Sequence, residues 1–159
     1  MNIKTIGIVG GGQLGRMLVQ AAHKLGFKVI VLDPTPNSPS AQVADEQIVG
    51  SYKDRQKIFE LGGKSDFITM ELEGVNDSAL EELKQKGKPV NPDPKILKII
   101  RDKFAQKTFL SENNIPVAPF APIQNESDAE KQGEIFGMLN FCSVTCSGAK
   151  QTYDRNNTV

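Results

Sequence analysis

Strands and helices alternate along most of this chain, and the alternation starts around a cluster of glycines. Ile3 to Val9 is a β-rich run that enters Gly10-Gly11-Gly12-Gln13-Leu14-Gly15. Leu14, Met17, Leu18, Ala21, Ala22 and Leu25 then recur at helical offsets and predict one apolar helix face. Gly26 tolerates the left-handed conformation that closes a helix. Lys28-Val29-Ile30-Val31-Leu32 reads as a short buried strand, ending at Asp33 and a loop through Pro34, Pro36 and Pro39.

The pattern continues with a predicted strand at Gln47 to Val49, a helix from Asp54 to Leu61 and a strand from Phe67 to Met70. A helix from Asn76 to Lys86 precedes an extended Pro89-Val90-Asn91-Pro92. Alternation with short connections implies an α/β fold: a parallel sheet flanked by helices, with right-handed crossovers. Ligands of such sheets bind at the carboxyl ends of the strands. Here those ends are the Gly10 to Gly15 loop, the Asp33 loop and Glu71 to Gly74. Pro94 to Asn113 is helical in pattern, whereas three prolines make Ile115 to Pro122 an extended connector. Ser127 and Glu130 form a capping box for a last helix up to Phe136.

Composition narrows the class of function. Nineteen basic residues balance nineteen acidic ones, so no global field favours nucleic acid or an anionic membrane, and phosphate recognition has to be local. No apolar run approaches the roughly 20 residues that span a bilayer, and the first residues lack a signal-peptide layout, which together predict a cytoplasmic protein. Cys142 and Cys146, with His23 as the one imidazole, are too few for a zinc site and read as free thiols.

The candidate chemistry sits in three places. Gly10-x-Gly12-x-x-Gly15 lies between a strand and a helix, where glycines let a ligand approach the backbone and the helix N-terminus presents N–H groups. Asp33 follows Gly15 by 18 positions, near the roughly 20 that place a ribose-binding acid in a dinucleotide fold. A nicotinamide or flavin cofactor is therefore one reading of the loop, and a tight structural turn is another. Gln13 opens the helix with an amide that both donates and accepts. Glu71 and Glu73 follow a strand, and alternation sets them on one side. Arg101, Lys103 and Lys107 form a basic cluster on a helix, either a solvated face or a phosphate contact.

Longer stretches carry more information than the glycine spacing. They are Ile6-Gly7-Ile8-Val9-Gly10-Gly11-Gly12-Gln13-Leu14-Gly15-Arg16-Met17-Leu18, Val29 to Pro34, Asn37 to Asp45, Phe67 to Val75 and Ile115 to Phe120. In this order they cover roughly Ile3 to Gly137 and resemble the ATP-dependent 5-(carboxyamino)imidazole ribonucleotide synthetases, also called the ATPase subunit of phosphoribosylaminoimidazole carboxylase. The resemblance implies a Rossmann-like pre-ATP-grasp domain, residues 1–113, followed by a connector and the incomplete start of an ATP-grasp domain, residues 114–159. It also implies an ATP-dependent carbon–nitrogen ligase of purine biosynthesis, which activates bicarbonate as carboxyphosphate and carboxylates the exocyclic amine of aminoimidazole ribonucleotide. ATP and Mg²⁺ are the implied cofactors, with Mg²⁺ bridging the nucleotide phosphates. Homodimers are the common assembly, although no interface is legible in the sequence.

Carried over by position, Gln13 and Leu14 contact the ribonucleotide, Gly12 and Gly15 shape their loop, and Glu71 contacts the same substrate. Lys103 stands where the family has an ATP-contacting basic residue, usually Arg, and keeps the charge without the bidentate fork. The pattern breaks after Gly137. Val144 occupies the place of an ATP-binding Lys, and the family's glycine-rich loop is not found. The expectation is a truncated or frame-disrupted member, inactive as a ligase by itself, with a poorly packed tail from Met138.

Overall fold

A computed structural model describes residues 3–123 together with 125, 127, 128 and 131. Four parallel strands form its sheet: β1 Thr5–Val9, β2 Lys28–Asp33, β3 Glu46–Val49 and β4 Phe67–Met70, in the order β3-β2-β1-β4. Val90 extends the β4 edge through one parallel bridge to Ile68. The connecting helices are α1 Gln13–Lys24, α2 Arg55–Lys64 and α3 Asp77–Gln85, followed by α4 Lys95–Arg101 and α5 Lys103–Glu112. The α/β class and the parallel sheet expected from the alternation are both present.

Strand alternation divides the core between two faces. On one face, Val9, Ile30 and Leu32 pack with Ile58 and Leu61 of α2 and with Ala79, Leu80 and Leu83 of α3. On the other, Ile8, Val29 and Val31 pack with Val19 and Ala22 of α1. Because successive side chains of a strand point to opposite faces, β1 and β2 must be apolar at nearly every position, which is why they read as continuous buried runs.

Helix starts and stops follow local chemistry. Asp54 caps α2 by accepting from the backbone N–H of Gln56, and Asn76 caps α3 by accepting from Ala79 N–H. At the end of α1, Gly26 N–H donates to His23 C=O and Phe27 N–H to Ala22 C=O, with Gly26 at φ +82°. This is a Schellman close, and Gly26 stands at the left-handed position it requires. Just beyond it, Asp45 accepts from Val29 N–H and from His23 Nε2, joining the chain before β3 to the start of β2. Partial burial raises the pKa of Asp45, but these two hydrogen bonds and the nearby His23 and Lys28 charges lower it below the ordinary aspartate value overall.

Two expectations need correction. Most of the apolar stripe read on α1 does not face the core: of its members Ala22 is buried, beside Gly15 and Val19, while Leu14, Met17, Leu18, Ala21 and Leu25 are exposed. Both sets are spaced as helical faces, and the small side chains are the ones that let α1 lie close to the sheet. The helical pattern from Pro94 to Asn113 is two helices, because Asp102 interrupts it and caps α5 by accepting from Phe104 N–H and Ala105 N–H.

The chain divides into two compact units, Met1–Lys98 and Ile99–Val159, which part within α4. In the second unit, Phe104 packs edge-on against Phe120 with ring centroids 5.6 Å apart, and Lys107 Nζ sits 6.0 Å from the centre of the Phe120 ring. Residues 115–122 carry no helix or strand, as their prolines require. Glu130 of the expected capping box, Cys142, Cys146 and the tail from Met138 lie outside the described residues.

The buried core of β2 and the exposed stripe of α1 predict different sensitivities. Leu32→Ala should remove about 2–5 kcal/mol of stability, as expected for a buried leucine, whereas Leu14→Ala should stay within about 0.5 kcal/mol. Urea unfolding of the two variants measures the contrast.

Candidate functional site at the switch point of the sheet

Strand order places the site. From β1 the chain crosses to β2 on one side, while β4 pairs with β1 on the other, so a crevice opens between the carboxyl ends of β1 and β4. Val9 pairs with Met70 at that end. The next residue on each strand extends the ladders, with Gly10 N–H donating to Leu32 C=O and Glu71 N–H to Val9 C=O. Glu71 therefore begins its side chain directly beside the glycine loop.

The carboxylate of Glu71 reaches across the crevice and holds the start of α1. Its Oε1 accepts from Gly12 N–H at 2.8 Å and its Oε2 from Gly15 N–H at 3.0 Å. Gly12 is the N-cap of α1 and has no side chain to cap with, and the first turn carries no acid. Glu71 supplies both missing functions from a distant strand: acceptors for orphan N–H groups and a negative charge at the positive end of the helix.

Two further contacts fix the loop. Asp33 Oδ2 accepts from Gly11 N–H at 2.8 Å, and its Oδ1 accepts from Thr35 N–H at 2.8 Å. Ser40, fully buried, donates from its hydroxyl to Gly12 C=O at 2.8 Å and from its backbone N–H to Gly11 C=O at 3.0 Å. Arg16 helps hold the proline-rich loop over α1 by donating to Gln42 Oε1 at 2.9 Å. The glycines are shaped around these groups. Gly10 has φ +109°, and a Cβ there would fall into Leu72 and lie 2.5 Å from Glu71 Cγ; a Cβ on Gly15 would lie 2.5 Å from Ser40 Oγ.

The expected site residues are thus sorted by the structure. Gly12, Gly15 and Glu71 meet directly. Gln13 and Leu14 open α1 with their side chains exposed, and among the described residues neither of their backbone N–H groups has a hydrogen-bond acceptor. The Gly12–Gln13 peptide is oriented by its carbonyl, which accepts from Arg16 N–H and from Ser40. In a trans peptide the N–H points opposite to the C=O, so the Gln13 N–H faces away from the helix. Glu73 does not continue the strand alternation, because β4 ends at Met70 and residue 73 lies in an exposed turn. Lys103 belongs to the second unit, exposed in the first turn of α5, where its Nζ donates to Gln106 Oε1 at 3.1 Å. Ser40 carried no prediction. Its signal lay in a small polar residue directly after Pro39, in a stretch otherwise read as loop.

A parallel sheet in this order, with a glycine loop and an acid facing each other at the switch point, defines a Rossmann-like ligand-binding domain. Residues 3–101 match the family model of the ribonucleotide synthetase preATP-grasp domain, and the chain belongs to that family. It is 44% identical over 124 residues to the N5-carboxyaminoimidazole ribonucleotide synthase of Staphylococcus haemolyticus, an alignment covering 78% of this chain and 33% of that protein. The crystal structure of N5-carboxyaminoimidazole ribonucleotide synthetase from Thermotoga maritima is similar at 47% identity and a TM-score of 0.74, over 85% of this chain and 37% of that one. A synthase from Aspergillus clavatus, solved in complex with ADP and 5-aminoimidazole ribonucleotide, is similar at 36% identity and a TM-score of 0.74, over 86% of this chain and 37% of that one. The chain spans about a third of the length of the curated relatives it matches. The comparisons do not favour the dinucleotide reading of the loop.

The demand on Gly10 is directly testable. Gly10→Ala should cost about 1–3 kcal/mol through backbone strain alone, with more from the Leu72 and Glu71 contacts, and thermal unfolding should show the loss.

Proposed function

We propose that this chain supplies the ribonucleotide-binding part of an ATP-dependent ligase that carboxylates the exocyclic amine of aminoimidazole ribonucleotide with bicarbonate. The observation that carries the reading is the glycine loop held against Glu71 at the switch point, in a chain whose relatives are N5-carboxyaminoimidazole ribonucleotide synthases. Gln13 and Leu14 offer the ligand two backbone donors and one side-chain amide. Glu71 keeps lone pairs beyond those given to Gly12 and Gly15, suited to a ligand hydroxyl or amine.

ATP binding is supported by the ADP and ATP complexes of similar enzymes. In this reading Lys103 provides a point charge toward the nucleotide phosphates. Among the described residues no three His, Cys, Asp or Glu side chains gather in a group that could hold a metal ion, so no step is assigned to Mg²⁺ on them. No helix among the described residues is long and apolar enough to cross a membrane. We place the protein in the cytoplasm and take a homodimer as its assembly, both by the family resemblance.

The reaction needs a site that positions reactants and keeps water from a labile acyl phosphate. In this reading the glycine loop and Glu71 do the positioning. Calorimetry on the 159-residue polypeptide should therefore show saturable binding of aminoimidazole ribonucleotide, weakened at least about 10-fold by Gln13→Ala, without carboxylation when ATP and bicarbonate are added. Tight binding of NAD that is lost in Asp33→Ala would instead support a dinucleotide domain and overturn this reading.

A further inference from the structure

We propose that Glu71 makes the glycine loop selective against phosphate: its carboxylate is the resident anion at the N-terminus of α1 and bars the phosphate of a ligand from the N–H groups of Gly12 and Gly15. This rests on a ribonucleotide being the ligand of the loop, and it adds what the loop refuses.

Glycine loops at helix N-termini are ordinarily open to phosphate because their N–H groups are orphaned. Here two of those groups already have a charged acceptor, at 2.8 and 3.0 Å. The glycines themselves make room for it. A Cβ on Gly10 or on Gly12 would lie 2.9 Å from Glu71 Oε1, and one on Gly15 would lie 3.6 Å from Glu71 Cδ. The space the motif leaves free is occupied by the protein's own carboxylate rather than kept for a ligand.

Charge strengthens the exclusion. Asp33 places a second carboxylate on the adjacent Gly11 N–H. None of the ion pairs among the described residues involves Glu71 or Asp33, and the guanidinium of Arg16 is directed to Gln42 and to the carbonyl of Pro39. A further anion about 4 Å from one carboxylate is disfavoured by roughly a thousandfold at the screening typical of a protein surface. Partial exposure of Glu71 and salt lower that factor, and at least about tenfold should remain.

The test uses the ¹⁵N-labelled 159-residue chain, titrated with inorganic phosphate at pH 7 and constant ionic strength. In the wild type the Gly12 and Gly15 amide resonances should not respond. Glu71→Ala should gain a saturable response centred on Gly12, Gln13 and Gly15, at least about 10-fold tighter than any in the wild type. If Glu71→Ala fails to fold, Glu71→Ser decides the matter, since it too removes the charge and vacates the space at the Gly12 and Gly15 N–H groups, and it should gain the same response. A wild type that binds phosphate at these amides as tightly as the folded variant overturns the proposal, and so does a folded variant that gains nothing. Aminoimidazole ribonucleotide is titrated separately: its failure to bind counts against the proposed function alone, and a phosphate-silent variant counts against the exclusion alone.

Discussion

One carboxylate holds the working end of this fold together. Glu71 is distant in sequence from Gly12 and Gly15, yet it accepts from both and so ties the end of β4 to the start of α1. Without it, α1 would begin with a glycine that caps nothing and a first turn without an acid. A capping acceptor of this kind is worth about 1 kcal/mol to a helix, but its larger effect is positional. The bond pattern aims the N–H groups of Gln13 and Leu14 outward, while Ser40 holds the other side of the same peptide. Site geometry and helix capping are one set of hydrogen bonds.

Much of the architecture was legible because it depends on local rules. Strand and helix periods, the left-handed Gly26 and the capping residues Asp54 and Asn76 each lie beside the element they shape. The exposed stripe on α1 was misread because two apolar sets share the helix, and amphipathic spacing does not say which is packed. Close packing chose the smaller set: Gly15 leaves room only for Ser40 Oγ and the Gly10 carbonyl, so α1 turns Val19 and Ala22 inward and leaves Leu14 and Met17 at 64% exposure each. The break at Asp102 was hidden for a similar reason, since an aspartate in a helical pattern reads as a surface residue until its side chain is seen to cap the next helix.

The cluster of Gly12, Gly15 and Glu71 at the candidate site was legible in its members but not in its wiring. Gly12, Gly15 and Glu71 were recognisable from matched stretches, yet their mutual hydrogen bonds required the β1–β4 pairing that brings residue 71 beside residue 10. Ser40 was missed because a buried serine in a proline-rich loop has no periodic signature; only the approach of that loop to Gly11 and Gly12 reveals its purpose. The spacing of Asp33 from the glycines suits a ribose-binding acid, and it was the relatives matched by the whole chain, not the local motif, that set this reading aside. In the structure its carboxylate accepts from Gly11 N–H and Thr35 N–H.

Amide hydrogen exchange at four neighbouring residues of the ligand-free chain tests the central claim most directly. Gly12 and Gly15 N–H are bonded to Glu71, whereas Gln13 and Leu14 N–H have no acceptor among the described residues. The account predicts slow exchange at Gly12 and Gly15 and fast exchange at Gln13 and Leu14, alternating within one turn of helix. Equally fast exchange at all four would contradict it.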